Sequence, residues 1–137
     1  YQWNVGLEQF KRSETMTEKR RVFSLIIDEE LKNIPGVTIL SEQEEIFWNY
    51  QYHVVRIDEH MKDVFHCMFK KGIHLMQEDV WDCTKFDFPL PQNYFPIGSN
   101  ANPCLIRIPN NSMLNEAQIR IIAKTLKECC LHTDVTP

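Results

Sequence analysis

The segment between Asp58 and Gly72 carries the strongest amphipathic pattern in the chain. Its apolar side chains recur at i, i+3, i+4, i+7 and i+8, which places them on one side of a helix: Met61, Val64, Phe65, Met68 and Phe69. Asp58 is suited to cap the start of this helix, and Gly72 to end it. We interpret the stripe as core, in preference to a ligand groove. Such a helix needs a second layer on which to bury its apolar side.

Other segments have helical signals at both ends of the chain. Residues 2–12 lack proline, and apolar residues recur at helical spacing from Val22 to Ile34 until Pro35-Gly36 ends the pattern. The sequence from Thr15 to Glu18 matches a capping box, so either two helices meet near Ser13 or one long helix runs through it. Near the other end, Asn115 and Gln118 also match a capping box and predict a last helix.

Four short segments are rich in β-branched or aromatic residues and predict strands: 37–40, 47–57, 73–76 and 104–108. They alternate with the helical patterns along the chain. We therefore predict an α+β fold, with a mainly antiparallel sheet of about four strands, helices packed on one face and a long N-terminal helix before it.

The length of 137 residues fits one domain, residues 1–137. Within it we expect a helical lead-in (1–34) and a body of sheet and helices (37–131). A long loop rich in aromatic residues and proline, 77–103, interrupts the body. Loops of this length are uncommon in compact domains unless they are functional or form an interface.

Charge and cysteine content exclude several classes of protein. The net charge of −4 argues against a nucleic-acid partner, and no apolar run approaches the ~20 residues of a membrane span. Neither a signal peptide nor a closely spaced set of zinc ligands is visible in the sequence. We therefore expect a cytoplasmic protein whose five cysteines are free thiols.

A search for catalytic patterns finds little. The chain contains neither a glycine-rich phosphate loop nor a GxSxG nucleophile elbow. Asp79 and Asp82 are typical of surface or capping carboxylates, and we interpret the Cys83 and His74 pair as coincidental. The residues alone thus indicate an α+β domain without a self-contained active site.

Several local patterns, taken in order, resemble the C-terminal part of the DegT/DnrJ-type sugar-nucleotide aminotransferases. Residues 5–10 are similar to the family's "GLxQL" helix, and Lys19-Arg20-Arg21 to the "KRR" that follows it. Residues 34–37 are similar to the family's "lPGV", and residues 71–73 are similar to its "RGI". Between them, residues 52–57 resemble the end of an aromatic strand of the family. Residues 107–119 resemble the closing "LPxxPxLtxeei" segment. The likeness covers most of the chain.

The resemblance implies the small C-terminal domain of a fold-type I enzyme that depends on pyridoxal phosphate. Such an enzyme transfers an amino group to a keto-sugar or similar small carbonyl substrate through a Schiff-base lysine. In the family this lysine and the other cofactor-binding residues lie upstream of the "GLxQL" helix. The resemblance therefore implies no catalytic residue, and no bound cofactor, in this chain alone. It also implies an upstream large cofactor-binding domain, a homodimer and a small-molecule substrate.

One departure from the family pattern concerns the substrate side. Where the family often has a His-Tyr pair after "RGI", this sequence has Glu78 and Asp79. We take Gln77, Glu78 and Trp81 as candidate substrate-binding residues. Two alternatives stay open: a free-standing α+β module that binds a small molecule without catalysis, and an interaction domain in which residues 77–103 contact a partner.

Overall fold

Two helices open the chain. The computed structural model describes residues 2–40, 42–77 and 104–132. Helix α1 spans Gln2–Lys11 and helix α2 spans Ser13–Leu31, with Arg12 between them outside either helix. Of the two alternatives, two helices that meet near Ser13 are confirmed. The Thr15 match is not a capping box, because α2 already begins at Ser13 and Thr15 lies inside it. The Ser13 hydroxyl instead donates to the carbonyl oxygen of Phe10, 2.7 Å away.

The sheet has four strands: β1 (Val37–Ile39), β2 (His53–Ile57), β3 (Met76–Gln77) and β4 (Leu105–Ile108). Their spatial order is β1-β2-β4-β3, and every neighbouring pair is antiparallel. Val55 pairs with Ile106, and both are buried. Their strand neighbours Val54 and Arg107, which also pair, point to the opposite face. The predicted α+β fold with a mainly antiparallel sheet is confirmed.

The second strand is shorter than its sequence predicts. Residues 47–52 are rich in aromatic residues, yet they form an irregular segment before β2. Tyr50 has a φ of 46°, in the left-handed region that a strand cannot contain. The Asn49 side chain accepts a hydrogen bond from the Gln51 backbone N–H, which stabilises a local turn in place of strand pairing.

Helices α3 (Met61–Lys70) and α4 (Glu116–His132) complete the fold. Asn115 and Gln118 exchange two hydrogen bonds of 2.9 Å at the start of α4, which confirms the capping box. Gly72 ends α3 with a φ of 79°, also as expected. The expected Asp58 cap is wrong: His60 lies at the N-cap in a left-handed conformation, without a side-chain cap.

One core joins the helices to the sheet. Helix α2 packs against α4, and α4 packs against α3. Buried apolar side chains from all of these helices meet the inner face of the sheet, among them Phe23, Ile27, Leu31, Val55, Val64, Met68, Ile106, Ile108, Ile119 and Leu126. Met68 is part of this core and Phe69, on the edge of the same stripe, is exposed. The interpretation of the stripe as core thus holds for its central side chains.

The cysteines depart from the expectation of free thiols. Cys67 on α3 and Cys129 on α4 form a disulfide that joins positions 62 residues apart in the chain. Cys129 is almost completely buried, whereas Cys104 and Cys130 form no disulfide and have intermediate exposure. Sequence spacing cannot reveal this pair, because only the packing of α3 against α4 brings the two residues together.

The third strand differs from its prediction over 73–76: β3 is Met76–Gln77 and so includes the first residue of the predicted loop. Of the long segment 77–103, only Gln77 lies within the described residues. No helix in the described ranges combines the length and the apolar character needed to cross a bilayer.

We expect Cys67→Ser to lower the free energy of unfolding by about 4 kcal/mol under oxidising conditions, because it releases a loop of 62 residues in the unfolded chain. Urea denaturation with and without a thiol reductant measures this difference. Cys104→Ser is the matched control and should change stability little in either buffer. Equal stability of the wild-type chain with and without reductant would show that the Cys67–Cys129 disulfide does not stabilise the fold.

Candidate functional site

A cleft of about 400 Å³ opens where α2, the start of β2, β3 and the segment after β4 meet. We call it the β4 cleft. Its walls include Met16 and Arg20 from α2, Tyr52 before β2, Met76 from β3, and Arg107 and Pro109 from β4 and its end. Two other pockets among the described residues are smaller, at about 270 and 300 Å³.

The buried Asn110 fixes one wall of the β4 cleft. Its side-chain amide donates to the hydroxyl of Ser24 at 2.9 Å and to the carbonyl oxygen of Arg20 at 3.2 Å. A longer contact of 3.5 Å reaches the carbonyl oxygen of Tyr50. One side chain thus ties the segment after β4 to α2 and to the irregular segment before β2. Nearby, Lys19 donates to the carbonyl oxygen of Ser112 at 2.6 Å.

The cleft has a basic lining in a chain of net charge −4. Arg20, His74 and Arg107 line it, and none of the lining residues that the structure describes is acidic. The guanidinium of Arg107 lies over the ring of Tyr52, 4.5 Å from its centroid.

A second polar cluster lies on the neighbouring turn of α2. The Arg21 guanidinium makes a two-pronged ion pair with Glu42, with N–O distances of 2.9 and 3.0 Å. It also donates to the carbonyl oxygen of Trp48 and lies 4.6 Å from the centre of the Phe47 ring. These contacts hold the irregular segment 42–50 against α2.

The charges in this cluster shift two pKa values. The hydrogen bond from Arg21, helped by the backbone N–H of Trp48, holds the pKa of Glu42 below its ordinary value of 4.5. Burial, together with the charge of Glu42, raises the pKa of Tyr50. Glu42 therefore stays ionised and paired across the neutral range.

The buried His53 lies behind this cluster. Its Nε2 atom is 3.1 Å from Oδ1 of Asp28, and its ring stacks on that of Tyr50 with 6.2 Å between centroids. His53 is about 1% exposed. A substrate cannot reach a side chain so deeply buried, so we assign the pair to the packing of α2 on the sheet.

A smaller pocket of about 270 Å³ brings Cys130 together with Asp58, Glu59 and His60. These residue types resemble a nucleophile with its base. Burial raises the pKa of the Cys130 thiol to about 11, so the thiol is protonated at neutral pH. Because the thiolate is the reactive form, this arrangement does not provide a nucleophile. The described residues also contain no group of three or more side chains able to hold a metal ion.

The structure locates only one of the three substrate-binding candidates. Gln77 lies in β3 and pairs with Ile106, directly after Met76 of the cleft wall. Glu78 and Trp81 lie outside the described residues, as do Asp79, Asp82 and Cys83. The sequence analysis gave no role to Asn110. A polar residue that follows the apolar strand β4 and its proline was the only available signal.

We expect Asn110→Ala to lower the free energy of unfolding by about 1–2 kcal/mol, because the buried hydroxyl of Ser24 and two carbonyl oxygens lose their donor. Asn111→Ala is the matched control. Asn111 is exposed and accepts one local hydrogen bond, from the Met113 N–H. Urea denaturation compares the two variants, and an equal loss of stability in both would contradict the role of Asn110.

The lowered pKa of Glu42 predicts a pH-dependent contribution to stability. The ion pair with Arg21 should stabilise the fold above pH 4.5, and this contribution should be lost as the pH falls below that value and Glu42 becomes protonated in the folded state. Urea denaturation of the wild type and Glu42→Gln between pH 3 and pH 7 measures it. The two curves should converge toward acid pH, and a constant gap would rule out this origin.

No family model matches the chain, and no curated protein matches it by sequence. Solved structures do match its fold. DesI, crystallised in the presence of its TDP-sugar product, is 20% identical with a TM-score of 0.77, over 93% of this chain and 34% of that one. DesV from S. venezuelae, solved in complex with a ketimine intermediate, is 12% identical with a TM-score of 0.81, over 92% and 35%.

PseC from Helicobacter pylori, an aminotransferase involved in the biosynthesis of pseudoaminic acid, is 17% identical with a TM-score of 0.76, over 93% and 36% of the two chains. The chain thus spans about a third of the length of these proteins. At such low identity the likeness establishes the fold alone. The chain has the fold of one part of the sugar aminotransferases, as its sequence motifs indicate.

Proposed function

We propose that this chain is the small C-terminal domain of a pyridoxal-phosphate-dependent aminotransferase. The whole enzyme would transfer an amino group to a keto-sugar or a similar small carbonyl compound. The likeness of fold to DesI, DesV and PseC, over nearly all of this chain and about a third of theirs, carries the proposal. The ordered sequence motifs support it independently.

Helix α1 supports an upstream domain as its partner. Every described side chain from residue 3 to 12 is exposed, and Trp3, Leu7 and Phe10 share one side of the helix at i, i+4 and i+7. Trp3 is 91% exposed. A helix of 10 residues is marginal in water unless its apolar side packs on something. An upstream cofactor-binding domain, or a second copy in a homodimer, would cover this side.

The lysines that the structure describes do not fit the role of a Schiff base. That role requires a lysine beside a cofactor pocket. No lysine lines the β4 cleft, the Cys130 pocket, or a shallow pocket between Asn4 and Arg12. Lys11 and Lys71 are exposed and form ion pairs with Glu8 and Glu128. We therefore propose that this chain provides substrate-side and dimer contacts and that the Schiff-base lysine lies in another part of the protein.

The β4 cleft is the part of the chain that we propose for the substrate side. Gln77 adjoins it in β3, and Glu78 and Trp81 follow Gln77 in sequence. These three residues stay the proposed contacts with the small-molecule substrate. The cytoplasmic location stays a prediction. The Cys67–Cys129 disulfide argues against it, because disulfides are rare in reducing compartments.

One observation favours a second candidate function, a binding module without catalysis. The Asn110 hydrogen bonds to Ser24 and Arg20 tie the described walls of the β4 cleft together within this chain, so its shape does not depend on another domain. Such a module would need no cofactor at all. The two candidates differ in whether the native protein carries pyridoxal phosphate.

Sodium borohydride reduction in the presence of pyridoxal phosphate tests the proposal. In the native protein we expect one trapped adduct, on a lysine outside these 137 residues. The 137-residue chain alone should give no specific adduct, because its described pockets present no lysine. Peptide mass spectrometry locates the adduct.

Free pyridoxal phosphate also modifies surface lysines, so the same reaction after urea denaturation is the control for non-specific labelling. A specific adduct on one lysine of the folded chain would contradict the assignment of the catalytic residue to another part of the protein. A native protein that carries no reducible cofactor would favour the binding module.

A further inference from the structure

We propose that the Cys67–Cys129 disulfide is a redox-sensitive cross-link that controls how firmly α3 and β3 are held on the rest of the fold. When it is oxidised, the end of α3 is fixed to α4. When a dithiol reduces it, α3 and β3 open locally while α2, α4 and the other strands stay folded. The inference goes beyond the proposed function, because it involves neither pyridoxal phosphate nor another domain.

The two helices that the disulfide joins differ in how well the core holds them. Helix α4 buries five side chains along its length, from Ile119 to Cys129, and packs on both α2 and α3. Helix α3 buries Val64 and Met68, and α4 is its main packing partner among the described elements. A helix of 10 residues has little stability of its own. Loss of the cross-link therefore releases α3 in preference to α4.

A polar contact also joins the end of α3 to α4. Nζ of Lys71 lies 2.7 Å from Oε2 of Glu128, and both side chains are about half exposed. Exposed ion pairs contribute little to stability, because water screens the charges and the long side chains lose conformational freedom. The disulfide, whose two Cα atoms are 5.8 Å apart, is the stronger of these two links.

Backbone hydrogen bonds connect Cys67 to the turn that leads into β3. The carbonyl oxygen of Cys67 accepts a hydrogen bond from the Lys71 N–H at 3.2 Å. The next carbonyl oxygen, that of Met68, accepts one from the Ile73 N–H at 3.0 Å. Met76 then begins β3, an edge strand of two residues that pairs with β4. So short a strand depends on the turn that precedes it, and opening of α3 therefore also loosens β3.

The exposure of the two cysteines determines how reduction proceeds. Cys67 is of intermediate exposure, whereas Cys129 is 1% exposed. A thiolate of the dithiol therefore attacks Sγ of Cys67, the S–S bond breaks, and its electron pair passes to Sγ of Cys129, which takes a proton from water. The second thiolate of the dithiol then attacks the first dithiol sulfur and releases Cys67, which also takes a proton. Two electrons pass from the dithiol, which ends as a disulfide, to the two cysteines, which end as thiols.

Reduction also affects the β4 cleft, because β3 carries part of its wall. Met76 lines the cleft, and Gln77 follows it in β3. This part of the wall loses its fixed position when β3 is released. Under the proposed function Gln77 contacts the substrate, so reduction would weaken substrate binding. This last consequence rests on the proposed function, whereas the release of α3 and β3 does not.

Hydrogen exchange of the native protein in the absence of denaturant, before and after addition of dithiothreitol, tests the inference. The protein is first oxidised with glutathione disulfide. Alkylation in urea followed by peptide mass spectrometry should find Cys67 and Cys129 blocked before reduction and alkylated after it. After reduction, the amides of α3 and of residues 71–77 should exchange at least about tenfold faster, and those of α2 should change by less than about twofold.

Cys67→Ser should exchange like the reduced wild type in both buffers, because it has no cross-link to lose. Cys104→Ser is the matched control, since it removes a cysteine that forms no disulfide and should respond to dithiothreitol as the wild type does. The wild-type comparison is sufficient by itself, so a variant that fails to fold does not prevent the test.

Four results would overturn the inference: cysteines that stay unpaired after oxidation, a disulfide that dithiothreitol reduces only in urea, equal exchange of α3 in both redox states, or equal acceleration of α2 and α3. The last result would mean that the disulfide stabilises the whole fold instead of α3. None of these measurements involves pyridoxal phosphate, so failure of the inference differs from failure of the proposed function.

Discussion

The packing of α2 against α4 and the sheet is the contact on which the rest of the structure depends. Phe23, Ile27 and Leu31 bury one side of α2 in the core. Burial of each such side chain contributes about 1.5–3 kcal/mol, more than any single surface ion pair in the molecule. With that side buried, the adjoining turns of α2 present Arg20, Arg21 and Ser24 to the segments around β2 and β4.

Helix α2 therefore contributes to both the β4 cleft and the cluster of Arg21 with Glu42. Arg21 holds the irregular segment 42–50 through Glu42, and Ser24 and the carbonyl oxygen of Arg20 receive Asn110. Neither contact is local in sequence, since Asn110 lies 86 residues from Ser24. These long-range contacts bring the walls of the β4 cleft together. The residues that line the cleft are therefore far apart in the sequence.

The sequence predicted those features that local chemistry decides. The capping box of Asn115 and Gln118 needs only residues three apart, and Gly72 needs only a left-handed backbone position. The order of strands and helices also follows from short patterns. These signals were enough for the fold class.

Features that depend on tertiary contacts were not predictable from the sequence. The Cys67–Cys129 disulfide requires α3 beside α4. The aromatic residues before β2 have strand propensity, but the ion pair of Arg21 with Glu42 and the turn at Tyr50 override it. Two arginines 87 positions apart give no signal of a shared cleft until the sheet brings them together.

Under the proposed function, another part of a larger protein completes the outer surface of this domain. Helix α1 shows this need most clearly, because its apolar side contacts little of the described chain. Its short length gives it little stability of its own. The β4 cleft, in contrast, is held by contacts within the chain.

Hydrogen exchange of the α1 amides, compared between the native protein and the 137-residue chain, tests this central claim most directly. The account predicts that α1 exchanges rapidly in the chain alone and at least about tenfold more slowly in the native protein, where its apolar side is covered. Equal, rapid exchange of α1 in both would contradict the claim that this helix is a docking element of a larger enzyme.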